Sequence, residues 1–149
     1  MQNLWVTIGL VALVVVLLAV LWMRRPRHHH RHEPPTIEEP VAAQVEGDER
    51  LVEVLRQQGV DLNSPRHIDL EFYTPSKDAA RRLVASLEGL LPGEADVRPS
   101  VQEPEWAVTY VVSATVSSIV QPQAVEQRIR LAAAVGGEFD GWGTPADKR

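Results

Sequence analysis

The first residues of the chain form a run that is long and apolar enough to cross a membrane. From Leu4 to Met23 the sequence has 20 consecutive residues without a charged side chain. A helix rises about 1.5 Å per residue, so this run would span about 30 Å, the thickness of the hydrocarbon core of a bilayer. Because backbone groups inside lipid must be hydrogen-bonded within their own segment, we predict a transmembrane anchor over residues 1–23.

The residues around this run indicate whether it is cleaved and how it is oriented in the membrane. Before it there is no basic side chain, and behind it there is no small-residue cleavage site, so a cleaved signal peptide is not expected. Trp5 and Trp22 lie near its two ends, where interfacial aromatic side chains are common. A cluster of arginines, which includes Arg24, Arg25 and Arg27, follows on the C-terminal side. The positive-inside rule therefore predicts a single-pass protein with its N-terminus outside and its C-terminal part in the cytoplasm.

The part of the chain beyond the anchor is acidic. All 20 acidic residues lie at Glu33 or later, together with 11 of the 15 basic residues, which gives this part a net charge of −9. An acidic surface repels phosphate backbones, so we expect no direct nucleic-acid binding and favour a basic protein surface as the partner. The absence of cysteine excludes disulfides, a thiol nucleophile and cysteine-ligated metal sites.

Residues 24–46 are predicted to connect the anchor to the domain as a basic, histidine-containing flank followed by an extended linker with prolines at 34, 35 and 40. Four histidines, His28, His29, His30 and His32, could bind a transition metal. A metal site needs ligands fixed by surrounding contacts, however, and this stretch has no visible scaffold. We therefore assign no metal or cofactor and interpret the flank as a solvated segment beside anionic lipid headgroups.

Residues 47–149 have the length of one domain with its own core. Apolar periodicity and turn residues predict, in order, a short helix ending near Gly59, a strand at 67–73, a helix from 74–76 to about 90, strands at 95–101 and 106–116, a helix from 121–122 to 136–137, and a strand at 138–142. This order is typical of an α+β, ferredoxin-like βαββαβ sandwich, here preceded by a short helix. Two helices would cover one face of a four-stranded antiparallel sheet.

Two separated motifs resemble one known family. The stretch GVDLNSPR, from Gly59 to Arg66, runs into the strand at 67–73, and the stretch GGEFDGWG, from Gly136 to Gly143, closes the domain. Both are similar to the opening and closing signatures of the RraB-type family, bacterial regulators that inhibit ribonuclease E. The resemblance covers about residues 49–144 and leaves the anchor and linker outside.

The resemblance implies a non-enzymatic protein that binds the scaffold region of ribonuclease E and alters RNA degradation, with no small-molecule substrate and no cofactor. With the anchor, it predicts a regulator at the bacterial inner (cytoplasmic) membrane. The candidate partner-binding positions are those of the two motifs: Asp61, Pro65, Arg66, Gly136, Gly137, Asp140, Gly141, Trp142 and Gly143.

Structural interpretations compete with these roles. Residues 140–143 would most often form a turn whose tryptophan covers the core, and Asp61 and Arg66 could form an ion pair or an Asx turn. His67, Asp69 and Glu71 share one side of a strand, but strands with a solvated side normally carry such residues, so catalysis is not expected. The main competing function is a tether that recruits cell-division or envelope proteins without inhibiting an enzyme, an analogy of architecture alone.

Overall fold

The computed structural model describes residues 36–101 and 104–145. In these residues the elements are α1 (Glu38–Gln57), β1 (Arg66–Thr74), α2 (Lys77–Glu88), β2 (Gly93–Pro99), β3 (Trp106–Ala114), α3 (Val116–Ile119), α4 (Pro122–Ala134) and β4 (Glu138–Gly143). The predicted mixture of helices with a four-stranded antiparallel sheet is confirmed. The predicted transmembrane run lies outside the described residues, and within them no helix has the length and apolarity needed to span a bilayer.

The strands are arranged in the order β2-β3-β1-β4. The two central strands are the most apolar, and their register places Ile68 opposite Val112 and Leu70 opposite Tyr110. In β1 the burial alternates as the sequence predicted, with Ile68, Leu70 and Phe72 fully buried. The edge strand β2 is largely exposed, which suits its polar composition.

The core lies between this apolar side of the sheet and the helices. Ala80 and Leu83 of α2 and Ala132 of α4 belong to the same buried cluster as Leu70 and Phe72. The side chain of Ser76 caps α2 by accepting a hydrogen bond from the backbone N–H of Ala79 at 3.1 Å. The predicted helices at 74–90 and 121–137 are therefore present, with ends within a few residues of those expected.

The linker is where the sequence prediction was wrong about conformation. Residues 38–46, expected to be extended, form the first half of α1. Pro40 falls in the first turn of this helix, where its missing N–H would have had no intrahelical acceptor, so it does not prevent the helix. Glu38 and Glu39 in the same turn favour the helix through its dipole. The leading helix consequently has 20 residues, and Gly59 follows its end with a φ of 75°, as predicted.

The short helix α3 was not predicted. The sequence pattern extended the preceding strand to Val116, whereas β3 ends at Ala114 and the chain turns into α3. The hydroxyl of Thr115 accepts a hydrogen bond from the backbone N–H of Ser118 at 3.1 Å, which starts this turn. Val116 and Ile119 are buried, so this segment contributes to the core as a helix rather than as a strand.

Candidate functional site

Trp142, in the closing motif, is buried against the leading helix. Its indole Nε1–H donates a hydrogen bond to Oδ1 of Asp48 at 2.9 Å, and the side-chain amide of Gln44 donates to the same oxygen at 2.8 Å. Asp48 is 3% exposed and Trp142 is 6% exposed. Both donors bond Oδ1, whereas Oδ2 is buried without a hydrogen bond to the described residues. The bond from Trp142 to Asp48 thus links β4 to α1 at a carboxylate that is only half satisfied.

A second buried charge lies near this contact. Arg128 of α4 is 7% exposed and donates a hydrogen bond from Nη2 to the backbone oxygen of Ile119 at 2.6 Å. Its guanidinium carbon is 5.5 Å from the centre of the Phe139 ring. Burial lowers the pKa of Arg128 to about 10, and the charge of Asp48 opposes that shift. Burial likewise raises the pKa of Asp48, against the hydrogen bonds from Gln44 and Trp142 and the charge of Arg128.

The closing motif is a bulged strand, so the strand predicted at 138–142 and the core position of Trp142 are confirmed, whereas the turn predicted for residues 140–143 is wrong. Glu71 pairs with Gly141 while the next residue, Phe72, pairs with Phe139, so Asp140 is the extra residue of a bulge in β4. Gly141 has a φ of 118°, a conformation that glycine adopts readily. The bulge keeps both Phe139 and Trp142 on the core side of the sheet, opposite Phe72 and Leu70.

The glycine pair that precedes β4 is explained by backbone geometry. Gly136 ends α4 with a φ of 74°. At Gly137 a Cβ atom would lie 2.4 Å from the backbone oxygen of Tyr73, a separation that real Cβ atoms do not reach. These two glycines therefore allow the close turn from α4 into β4.

The opening motif forms a loop stabilised by Asp61. The two carboxylate oxygens of Asp61 accept hydrogen bonds from the backbone N–H of Asn63 at 2.9 Å and from the hydroxyl of Ser64 at 2.6 Å. These bonds lower the pKa of Asp61 below its usual value, the hydroxyl of Ser64 having the largest effect. The Asx-turn interpretation is thus confirmed. The loop is also fixed to α3, because Ser117 donates through its hydroxyl to Asn63 at 2.7 Å and through its N–H to Leu62 at 3.0 Å.

The two motifs meet at one end of the sheet. Arg66, at the start of β1, donates to the backbone oxygen of Pro145 at 3.3 Å, and the hydroxyl of Thr144 donates to the backbone oxygen of His67 at 2.8 Å. Gly136 and Gly137 lie at the other end of β4, beside Tyr73. Pro65 is exposed in the loop before β1. Most contacts of the motif residues therefore stabilise the fold.

The other side of the sheet is not covered by helices, because all helices of the described residues pack on the core side. Four carboxylates project from this open side and surround the middle of β3. Asp69 and Glu94 are both paired with Val111, and Glu71 and Asp96 are both paired with Thr109. We call Asp69, Glu71, Glu94 and Asp96 the carboxylate frame.

The sequence predicted a solvated side for β1, and the structure agrees in exposing His67 while leaving Asp69 and Glu71 half-buried. Glu71 accepts hydrogen bonds from the hydroxyl of Thr109 at 2.9 and 3.1 Å. Among residues 36–101 and 104–145, no group of three or more histidine or acidic side chains has the geometry of a metal site. The histidines of residues 28–32 lie outside these ranges, as do Trp5, Trp22, Arg24, Arg25 and Arg27.

An apolar cavity of about 210 Å³ lies between α2 and α4. Leu87, Leu91 and Leu131 line it, and Gln127 and Arg128 are among its polar residues. Ligand pockets of proteins usually have about 300–1,000 Å³, so this volume is below the range of drug-sized ligands. The carboxylate frame is the stronger candidate for a binding surface.

Sequence reasoning did not identify Asp48, Gln44 or Arg128. One signal was present: Arg128 falls three residues after Val125, on the apolar side predicted for α4, where a charged residue is unusual. Asp48 offered no such signal, because it lies in an acidic stretch that reads as solvated. Its partner Trp142 is 94 residues away in the sequence, so their contact is a product of the tertiary fold.

Residues 46–144 match the model of a protein family described as RraB, regulator of ribonuclease activity B. This range covers well over half of the chain and includes both motifs and every strand of the sheet. No curated protein matches the chain.

Proposed function

Since the chain belongs to the RraB family of regulators of ribonuclease activity, we propose that it is a membrane-tethered protein that binds ribonuclease E, or its RNA-degradation assembly, and inhibits it. The observation that carries this proposal is the family match over residues 46–144. The carboxylate frame supports it, because a ribonuclease and its RNA-binding segments present basic surfaces to which acidic side chains are complementary.

The proposed role is regulatory and non-enzymatic. Trp142 and Asp48 are buried and bonded to each other, so they act in the fold. Catalysis requires a reacting group oriented by neighbours in a concave site, whereas the carboxylates of the frame stand on a sheet surface. Of the nine candidate motif positions, Asp61, Pro65 and Gly136 are exposed and so accessible to a partner.

The tether is the run from Leu4 to Met23, which we propose crosses the bacterial inner membrane once with the N-terminus outside. The arginines that follow it support this orientation. The domain would then work at the cytoplasmic face, within reach of membrane-associated RNA-degradation complexes. Confinement to the same surface raises the effective concentration of both proteins.

Purification of the tagged full-length protein from its own host, expressed at native level, tests this function. We expect ribonuclease E peptides to be enriched over a mock purification, and transcripts cut by ribonuclease E to live longer when the protein is overproduced. Enrichment of cell-division or envelope proteins without ribonuclease E, together with unchanged transcript lifetimes, would refute the proposal in favour of a recruiting tether.

A further inference from the structure

The cavity between α2 and α4 reaches from the surface of the domain into its core. Leu70, Tyr110 and Ile119, each no more than 3% exposed, form its deep wall. Leu90 and Gln127 also line it and are exposed, so they mark its opening. A small solute can therefore enter the cavity from the solvent.

The walls of this cavity offer few free polar atoms. Tyr110 donates its hydroxyl to the backbone oxygen of Leu91 at 2.7 Å, so its ring contributes apolar surface. Ser118 donates its hydroxyl to the backbone oxygen of Thr115 at 2.8 Å. A buried water molecule needs about two to four polar partners, which these walls do not readily supply. An occupant with an apolar body is therefore favoured.

Arg128 places a positive charge in this apolar wall. Its Nη2 is bonded to the backbone oxygen of Ile119, a neutral group, whereas its Nη1 is buried without a hydrogen-bond partner among the described residues. The charge of Asp48 acts on Arg128, but within residues 36–101 and 104–145 Arg128 forms no ion pair. A buried charge is costly when no counter-ion is bonded to it. An anion bonded to this guanidinium would therefore stabilise the site.

The arginines on the surface of the helices are different. Each of them pairs with a carboxylate one turn away, as is the case for Arg50, Arg56, Arg81 and Arg130. These pairs are exposed to water, where neutralisation of a charge matters least. The cation that most needs a counter-ion is thus the buried Arg128 at the cavity.

The volume of about 210 Å³ restricts the size of the occupant. An engineered cavity of about 150 Å³ takes up benzene, so this cavity has room for a solute of about eight or nine heavy atoms. A carboxylate suits Arg128, because hydrogen bonds between a guanidinium and a carboxylate are charge-assisted. A peptide segment of another protein fits less well, since its backbone N–H and C=O groups would lie unbonded against apolar walls.

We propose that the cavity binds a small free carboxylate with an aromatic or branched hydrocarbon body. Its carboxylate accepts a hydrogen bond from Arg128, and its body lies among Leu87, Leu91 and Leu131. This site goes beyond the proposed regulatory function and beyond the family resemblance, which implies no small-molecule substrate. Its test involves no ribonuclease, so a failure would leave the proposed function standing.

Benzoate and 4-methylpentanoate are the probes, and benzamide and 4-methylpentanamide are uncharged controls of nearly the same shape. Each is titrated into the full-length protein in a non-ionic detergent while the leucine methyl resonances are recorded. We expect at least one acid to bind with a Kd below about 1 mM and to shift the methyl resonances of Leu87, Leu91 and Leu131. Its amide should bind at least about tenfold more weakly.

Two results of this titration would overturn the proposal. One is an amide that binds as tightly as its acid, which would show that Arg128 does not select an anion. The other is the absence of a saturable shift with either acid up to about 10 mM.

The variant Ala124→Leu tests whether the acid occupies the cavity. It adds volume to the cavity wall and leaves the charge of Arg128 in place, so it should weaken binding at least about tenfold. The matched control is Ala133→Leu, at an exposed position of the same helix outside the cavity lining, which should change the Kd less than about twofold. Circular dichroism first shows that each variant folds. Equal Kd values for the two variants would place the acid elsewhere and refute the proposal.

The variant Arg128→Leu tests the role of the charge. Without the guanidinium, the acid and its amide should bind with similar Kd values. A preference for the acid that remains about tenfold would contradict the role given to Arg128. If this variant does not fold, the comparison of acid with amide in the wild-type protein decides the same question.

Discussion

At the scale of single residues, the tryptophan of the closing motif is explained by one hydrogen bond. Phenylalanine would fill much of the same volume, but Asp48 is buried and its Oδ1 accepts a hydrogen bond from the indole N–H. When a buried carboxylate loses a hydrogen-bond donor, the free-energy cost of its desolvation remains, but the bond that offset this cost is gone. The motif therefore preserves a contact between the first and the last element of the described domain.

Replacing Trp142 with phenylalanine should lower the free energy of unfolding by about 1–3 kcal/mol, because Asp48 keeps its burial and loses its indole donor. Urea unfolding of the detergent-solubilised chain measures this change in the free energy of unfolding. The control is Trp106→Phe on β3, where the ring is half-buried and lies 5.2 Å from the Nζ atom of Lys77. We expect a loss of less than about 1 kcal/mol there, and equal losses at both positions would contradict the role given to the Asp48 contact.

Stability should also depend on pH through Asp48. Burial raises its pKa in the folded protein above the usual 3.8, so the native state binds more protons than the unfolded chain between those two values. The contribution of Asp48 to the free energy of unfolding is most favourable below pH 3.8, and it is lost as the pH rises through the pKa of Asp48 in the folded protein. Arg128, with a pKa of about 10, stays charged throughout this range.

The comparison is with Asp48→Asn, which cannot ionise. The stability of the wild type minus that of this variant should fall as the pH rises from about 4 and become constant above the folded pKa. Urea unfolding at half-unit pH steps gives this difference. A difference that grows with pH would mean that Gln44, Trp142 and Arg128 stabilise the carboxylate by more than its burial costs.

At the scale of elements, the sequence predicted those features that depend on interactions between residues close together in the chain. The alternation in β1, the Ser76 cap of α2 and the glycines after α1 and α4 were all readable, because each depends on neighbours within a few residues. The full length of α1 could not be predicted in this way. Pro40 suggested extended chain, and the contact of Asp48 with Trp142 joins residues that are 94 positions apart. For the same reason β1 showed one row of polar residues, whereas the carboxylate frame needs the register of three strands.

The turn from α4 to β4 gives a prediction at this scale. A methyl group at Gly137 would lie 2.4 Å from the backbone oxygen of Tyr73, so Gly137→Ala must displace β4 or the end of β1 and should cost about 1–3 kcal/mol. The control is Gly47→Ala in α1, where a Cβ would have no neighbour within 4 Å. Alanine there should raise stability by about 0.5–1 kcal/mol. Thermal unfolding measures the change in stability of both variants relative to the wild type. If both changes had the same sign, the explanation given for Gly137 would be contradicted.

At the scale of the whole molecule, the chain separates positive from negative charge. Four arginines follow the predicted anchor within residues 24–31, and the part beyond carries a net charge of −9. Anionic lipids attract the arginine cluster and repel an acidic domain. With the proposed anchor in the membrane, this repulsion would disfavour binding of the domain to the lipid surface. The anchor would thus contribute to recognition as well as to location.

Removal of residues 1–23 should therefore weaken regulation while leaving the domain folded. Free in the cytoplasm, the domain would lose the effective concentration gained by sharing a surface with a membrane-associated target. At matched expression, we expect transcripts cut by ribonuclease E to decay faster with the truncated protein than with the full chain, and circular dichroism to retain the helix and strand signals. An unrelated single-pass anchor of the same orientation should restore the longer lifetimes. If the truncated protein regulates as well as the full chain, confinement to the membrane is not part of the mechanism.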